Sequence, residues 1–444
     1  MEFYAVNDNF NGTVLVVRKG NVLLSRGYGY QDVLKKTKNT DKTIFQVGSV
    51  TMQFTAELLL LLDSQGKLSL DDKVKKYVPW YPDGDKISLK NLLTHTSGLY
   101  DYTLDTTIMN NPAKPMQLDT LIAQFKDKPL SFEPGEKFEF TNSNYILLGY
   151  IIEKMTRWNY EDQLKYKVLN GCGMYHSGFD FTDLADENKA TGYYTIVKDT
   201  AKEAPITDSS LSYAGGSLYT TVGDLYKWHR SLMDHIMLPK DWQEIAYTPF
   251  KNHYAIGWQV ENIFQKRFVE HSGSISGFSS LIMRQENDDI CIILLQNKML
   301  PAENNKIIAN NIVKCLYDKD YKINGADNMI AEKEELLKSN NTNDKEDTEP
   351  VAIKKVVIEK TEPVTQFAGE YVFDPAFSIV VTHKGKEFYA QATGHETCRI
   401  TQENNPLIYN AGVDAKLEFI KDENGRISKL ILHEHARDEQ GVKK

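Results

Sequence analysis

Phe45-Gln-Val-Gly-Ser-Val-Thr-Met-Gln-Phe-Thr-Ala56 leads through Glu57 into Leu58 to Leu62, an unbroken apolar run. The composition from Val50 to Ser64 predicts a helix, and Gly66 suits a left-handed cap just past its end. Leu58 to Leu62 presents apolar side chains on every face, so this helix is expected to be buried on most sides. A helix of that kind needs other elements packed around it. Ser49 stands at its start, where the positive end of the helix dipole and free backbone N–H groups lie close by. Two readings of Ser49 follow. It caps the helix, as serine commonly does, or it presents a nucleophile beside donors that stabilise an oxyanion.

Upstream, Thr13 to Val17 and Val22 to Ser25 flank Arg18-Lys19-Gly20-Asn21, which reads as a β-hairpin. Downstream, residues 278–283 and 290–295 flank Glu286-Asn287-Asp288-Asp289, a second hairpin. Between the two, over roughly 70–235, helical and loop sequence dominates. Ala302 to Tyr317 carries Ile307, Ile308, Ile312, Val313 and Leu316 at helical spacing. Strands at both ends with helices between predict one mixed α/β domain whose sheet joins its two ends. Residues 339–350 offer nothing to a core, so the expected division is a domain over 1–320, a linker over 321–362 and a second domain over 363–444. In that last stretch alternation dominates, as in Ser378-Ile-Val-Val-Thr382, Phe388-Tyr-Ala-Gln-Ala392 and Ile427-Ser-Lys-Leu-Ile-Leu432. It predicts a small all-β domain, an antiparallel barrel.

The 444 residues include 41% hydrophobic and 11% aromatic side chains, enough for a sizeable core. Lys and Arg number 52 against 61 Asp and Glu, a formal charge of -9 without a basic block. Nucleic acid is therefore not an expected partner. No apolar run approaches the roughly 20 residues of a membrane span. The opening Met-Glu-Phe-Tyr-Ala-Val lacks the basic and apolar regions of a signal peptide. Cys172, Cys291, Cys315 and Cys398 have no metal spacing, so no metal and no cofactor is expected.

Beyond Ser49 the chain carries Leu92-Leu-Thr-His-Thr-Ser-Gly-Leu99, then Phe138-Glu-Phe-Thr-Asn-Ser-Asn-Tyr145. Ala214-Gly-Gly-Ser-Leu-Tyr-Thr-Thr-Val-Gly-Asp-Leu225 and Glu270-His-Ser-Gly-Ser-Ile-Ser-Gly-Phe278 follow. This ordered series, over roughly residues 10–317, resembles the serine β-lactamase-like family: class C β-lactamases, penicillin-binding-protein-like peptidases and related esterases. The resemblance implies an antiparallel sheet flanked by helices plus an all-helical subdomain. From Gln366-Phe-Ala-Gly-Glu-Tyr371 onward the chain is similar to the small lipocalin-like domain that some members carry. The implied compartment is periplasmic or secreted. The implied partner is a small ester, amide or peptide, with a homo-oligomer left open.

In that family the first box is Ser-x-x-Lys, its lysine one helical turn after the serine and taking the hydroxyl proton. Here Met52 occupies the lysine position. The second box is Tyr-x-Asn and reads Phe140-Thr141-Asn142; the third, Lys-Thr-Gly or His-x-Gly, reads His271-Ser272-Gly273. By resemblance, Ser49 attacks, Asn142 holds the substrate amide, and the backbone N–H groups of Ser49 and Ser274 form the oxyanion hole. Gly273 and Tyr193 are placed as candidate substrate contacts, while aromatic packing is the default reading of Tyr193, Tyr194 and Tyr213. A thioether accepts no proton at neutral pH and a phenyl ring has none to exchange. Met52 and Phe140 keep the shape of Lys and Tyr while removing polarity, as in a natural pseudoenzyme or an engineered variant. His271 is then the remaining candidate base, or else only orients substrate or packs on the sheet edge. The expectation is a serine hydrolase scaffold with weak or lost activity. The alternatives are a ligand-binding pseudoenzyme and a cleft turned to another reaction through His271.

Overall fold

Lys19 and Gly20 both take positive φ, 52° and 71°, the left-handed pair that a two-residue hairpin turn demands. They join strand Gly12–Arg18 to strand Asn21–Tyr28. The second expected hairpin joins Phe278–Gln285 to Ile290–Gln296, with Asp289 at φ 45° in its turn. The structure is a computed structural model. It describes residues 1–6, 10–197, 200–318, 320–323, 367–374, 377–384, 387–393, 398–402, 408–410, 415–422, 426–434 and 437–443.

With Lys266–Ile275 and Gln259–Ile263, the two hairpins form one antiparallel six-stranded sheet. Its order is Asn21–Tyr28, Gly12–Arg18, Ile290–Gln296, Phe278–Gln285, Lys266–Ile275, Gln259–Ile263. Gly12 pairs with Gln296 and Arg18 with Ile290, so the N- and C-terminal parts of the α/β unit meet in the middle of the sheet. Successive side chains point to opposite faces. Leu15, Val17, Ile293 and Leu295 join the core under the helical layer. Val14, Val16, Ile292 and Leu294 pack with Ile308, Ala309 and Val313 of helix Ala302–Tyr317. Both faces are covered, which explains why these strands read as near-continuous apolar runs.

Helix Thr51–Ser64 is buried at every residue from Thr51 to Leu60 and lies at the centre of the helical layer. Gly66, at φ 66°, stands just beyond its end. From Thr51 to Leu169 every described element is helical, so the subdomain implied by resemblance is present. Ser143–Thr156, buried from Ser143 to Ile152, packs beside the central helix and carries Asn142 at its N-terminus. Among the described residues no helix is long and apolar enough to cross a membrane.

The chain divides into two compact units, Met1–Thr342 and Asn343–Lys444. In the second, eight strands from Gly369–Asp374 to Arg437–Lys443 form a closed antiparallel barrel, shut by the pairing of Tyr371 with Lys443. Tyr371, Ile379, Val381, Phe419 and Leu430 fill its core, while Val380 between two of them is exposed. Beyond residue 323, the linker expected over 321–362 lies outside the described residues.

Candidate active site

Ser49 sits in a 3-10 turn, Gly48–Val50, that feeds directly into the central helix. Its side chain caps nothing. Thr51 fastens the turn instead, its hydroxyl donating to the Gly48 carbonyl at 2.7 Å and accepting from the Leu218 N–H at 3.1 Å. The approach to the turn is held by a short bridge, Phe45–Gln46 against Tyr219–Thr220. Ser49 is therefore positioned by its neighbours' bonds, and its own hydroxyl stays free of them.

The strand Lys266–Ile275 presses against this turn. Gly273 has no room for a side chain: a methyl group there would lie 2.0 Å from the Val47 carbonyl oxygen and 2.9 Å from Ser49 N. Gly48, at φ 52°, meets the same strand, and a methyl group on it would stand 3.0 Å from the Ser274 carbonyl oxygen. Ser280, paired with Gly273 across the sheet, donates its hydroxyl to the Val47 carbonyl at 2.7 Å. Two glycines and one serine thus bring the third box to the backbone of Ser49.

Two cavities of about 340 and 430 Å³ open on either side of Ser49, and Ser49, Asn142 and Ser274 line both. Asn142 donates its side-chain N–H to the Asp101 carboxylate at 3.2 Å, which fixes the amide. Met52 is fully buried and lines neither cavity. A methyl group on Gly215 would stand 3.6 Å from its Cε and 3.5 Å from Tyr145 Cβ, so the thioether ends close to Gly215 and Tyr145. Phe140 lines the second cavity and is 39% exposed, its ring stacked on His95 at 4.3 Å between centroids. His95 is buried beneath it, and its Nδ1 accepts from the Thr141 N–H and the Asn144 amide, both at 3.2 Å. Burial, and then the neighbouring His271, hold the His95 imidazole well below its ordinary pKa.

His271 is 5% exposed and has a partner at each nitrogen. A main-chain carbonyl only accepts, so Nδ1–H donates to the Ser272 carbonyl at 2.7 Å. Nε2 is then bare and accepts from the Tyr254 hydroxyl at 2.9 Å. Burial lowers the pKa of this ring to about 4, so it is neutral at pH 7. Burial also pushes the Tyr254 hydroxyl well above its ordinary range. The imidazole is held by this chain of bonds rather than by Ser49. Among the described residues none hydrogen-bonds the Ser49 hydroxyl. The site therefore offers the Ser49 hydroxyl at a helix start, the Asn142 amide held by Asp101, and a glycine-lined backbone approach. Among the described residues no group of three His, Cys, Asp or Glu is placed to hold a metal.

The model of the Beta-lactamase family matches residues 7–314, from the first strand of the sheet to the helix that closes it. The chain belongs to the beta-lactamase family. It is thus a serine-hydrolase-type scaffold of the kind that transfers acyl groups of amides and esters. Penicillin-binding protein 4* of Bacillus subtilis (strain 168) is 24% identical over 98% of this chain and 95% of its own length. An octameric penicillin-binding protein homologue from Pyrococcus abyssi, 23% identical, superposes with a TM-score of 0.62 over 97% of this chain and 95% of that one. The D-amino acid amidase of Ochrobactrum anthropi SV3, 20% identical, does so with a TM-score of 0.60 over 70% of this chain and 94% of that one. The last two likenesses are of fold.

Ser49, Phe140, Asn142, His271, Gly273 and Ser274, drawn from three separate stretches of the sequence, line one cleft, while Met52 is buried and lines neither cavity. Tyr193 is a correction. It is fully buried, its hydroxyl accepts from the Val33 N–H at 2.9 Å, and it lines neither cavity. Its neighbour Tyr194 points to the other face of the strand Tyr193–Val197 and lines the first cavity instead. Tyr254 and Asp101 carry no motif of their own. Only the register of the folded chain brings them to His271 and Asn142.

Proposed function

We propose that this chain is an acyl-transfer scaffold in which Ser49 keeps its place as the attacking residue but has lost its proton acceptor, so that hydrolysis is weak or absent. The carrying observation is that no described residue hydrogen-bonds the Ser49 hydroxyl, while the buried Met52 follows three residues on and the Phe140 ring lines the same cavity. His271 does not fill the gap, because both of its nitrogens are committed to Ser272 and Tyr254. In this reading His271 is a positioning residue for the third box. Asn142, anchored by Asp101, faces a substrate amide or ester. The backbone N–H groups of Ser49 and Ser274 supply oxyanion stabilisation, which alone leaves about 10³-fold over water in a serine protease.

The scaffold keeps its cleft open, and this favours a second reading in which the chain binds ligand without turning it over. A fluorophosphonate probe with intact-mass detection separates the two. Slow single labelling that disappears in Ser49→Ala supports acyl transfer with an impaired proton path. Absent labelling with intact ligand binding supports the binding module, and labelling at the rate of an efficient serine hydrolase contradicts both. The octameric state of the Pyrococcus abyssi homologue supports a homo-oligomer for this chain, which light scattering of the full chain checks.

A further inference from the structure

The two cavities beside Ser49 carry different side chains but share one property. The first has an apolar stretch of wall, Met109, Pro112, Leu211, Ile275 and Met299, among hydroxyl and amide groups such as Thr103, Thr207, Ser212 and Ser276, and it is inside the size range of small-molecule pockets. The second offers Asn252, Tyr254 and Gln259 beside the rings of Phe138 and Phe140, a compartment of neutral hydrogen-bonding groups. Among the described residues, neither lining contains an Asp, Glu, Lys or Arg. The histidine of the third box adds no positive charge, since its nitrogens are used internally and the ring is neutral.

The lysines nearest the second lining in sequence, Lys251 beside Asn252 and Lys137 beside Phe138, do not themselves line either cavity. Asp101 lines neither cavity and supplies an acceptor, not a cation, to the Asn142 amide at 3.2 Å. Lys298, next to Met299, donates its ammonium to the Ile196 carbonyl at 3.4 Å. Lys202, 5.6 Å from the Tyr194 ring centroid, is exposed and lines neither cavity. A carboxylate brought into the cleft would lose its hydration without gaining a cation, and a carboxylate without a partner in a partly buried site is strongly disfavoured. An alkyl chain, by contrast, gains from every methylene placed against the apolar wall.

We propose that the cleft selects neutral acyl compounds: an apolar acyl arm in the compartment of Met109, Leu211 and Met299, and an uncharged ester or amide on the side of Asn252 and Gln259, with ligands bearing a carboxylate next to the scissile bond excluded. This rests on the acyl-transfer reading of the site but is tested by binding, so either can fail alone. The experiment titrates the full-length Ser49→Ala chain by calorimetry at pH 7.5 with N-hexanoylglycine methyl ester, N-hexanoylglycine and N-acetylglycine methyl ester. The expected result is that the hexanoyl ester binds at least tenfold more tightly than both the free acid and the acetyl ester. Ser276→Lys, which adds a cation to the first lining, is expected to recover binding of the free acid. Equal or tighter binding of the acid by the unaltered lining overturns the proposal, most directly if Lys202→Ala then abolishes it. No gain from the longer acyl arm, or no binding of any of the three, overturns it as well. Rapid turnover by the unmodified chain with the same order of affinities would instead sink the impaired-proton reading and leave this one standing.

Discussion

Gly273 is the residue on which the geometry of the site depends most. A methyl group 2.0 Å from the Val47 carbonyl cannot be accommodated without moving the Ser49 turn or the strand. Gly273→Ala is expected to cost about 1–3 kcal/mol in urea denaturation and to abolish fluorophosphonate labelling of Ser49. Retained labelling at unchanged stability would mean the strand does not set the position of the nucleophile. Tyr254 makes a second single-residue case. Tyr254→Phe leaves His271 Nε2 as a buried acceptor without its donor, a loss of about 1–3 kcal/mol, and removes a bond that favours the neutral ring. The imidazole pKa, read by NMR, is expected to rise from about 4, and an unmoved titration would argue against the assigned bond. The structure brings Ser49, Phe140 and Asn142 to one cleft, and each lies in a short local stretch that the sequence alone singles out. Tyr193 and Tyr194 are not separable that way. Adjacent residues on a strand differ only in which face they occupy, and that parity is set by pairing with residues far along the chain.

At the scale of elements, the central helix carries the strongest expectation. Its residues Leu58, Leu59 and Leu60 are buried on successive faces, so no side of Thr51–Ser64 is left to solvent at that level. Leu59→Ala is expected to destabilise the chain by about 2–5 kcal/mol, measured as a shift in urea midpoint with unchanged slope. A loss under about 1 kcal/mol would mean that the helix is not the packing centre of its layer. The two sheet hairpins and the helix Ala302–Tyr317 are legible because turn chemistry and periodicity are local signals. The bridge of Phe45–Gln46 with Tyr219–Thr220 is invisible in sequence, being two residues long and closed over a separation that leaves no local pattern. The kink at Tyr213, with φ 38° and ψ -133°, is hidden for the same reason, since only tertiary packing holds a tyrosine there.

For the molecule as a whole, the buried titratable groups set opposing pH dependences. Burial holds His229 and His271 at about 4 and His95 well below its ordinary value. The unfolded chain binds these protons near pH 6.5, so the stability tied to neutral rings is complete above about pH 6.5 and is lost as pH falls towards 4. Glu57 has the opposite sign. It is fully buried with Oε1 unpartnered, and burial raises its pKa to about 8. The fold keeps a proton that the unfolded chain releases near pH 4.5, so stability declines as pH rises towards 8, by at most about 1.4 kcal/mol per pH unit. Between about pH 6.5 and 8 the histidine contributions are flat, and Glu57→Gln is expected to reduce the fall in urea-derived stability there. Equal slopes in both proteins would remove Glu57 from the account. The division into an α/β unit and a β-barrel is legible from strand and helix periodicity, because each unit closes its sheet within its own sequence. The proposed lack of a proton acceptor at Ser49 is checked by restoring one and comparing ester hydrolysis by the Met52→Lys, Phe140→Tyr double variant with that of the unmodified chain. A rise of at least about 10²-fold is expected, and it vanishes on adding Ser49→Ala. An unchanged rate in a folded double variant, or an unmodified chain already turning over at about 10 per second, would contradict that proposal.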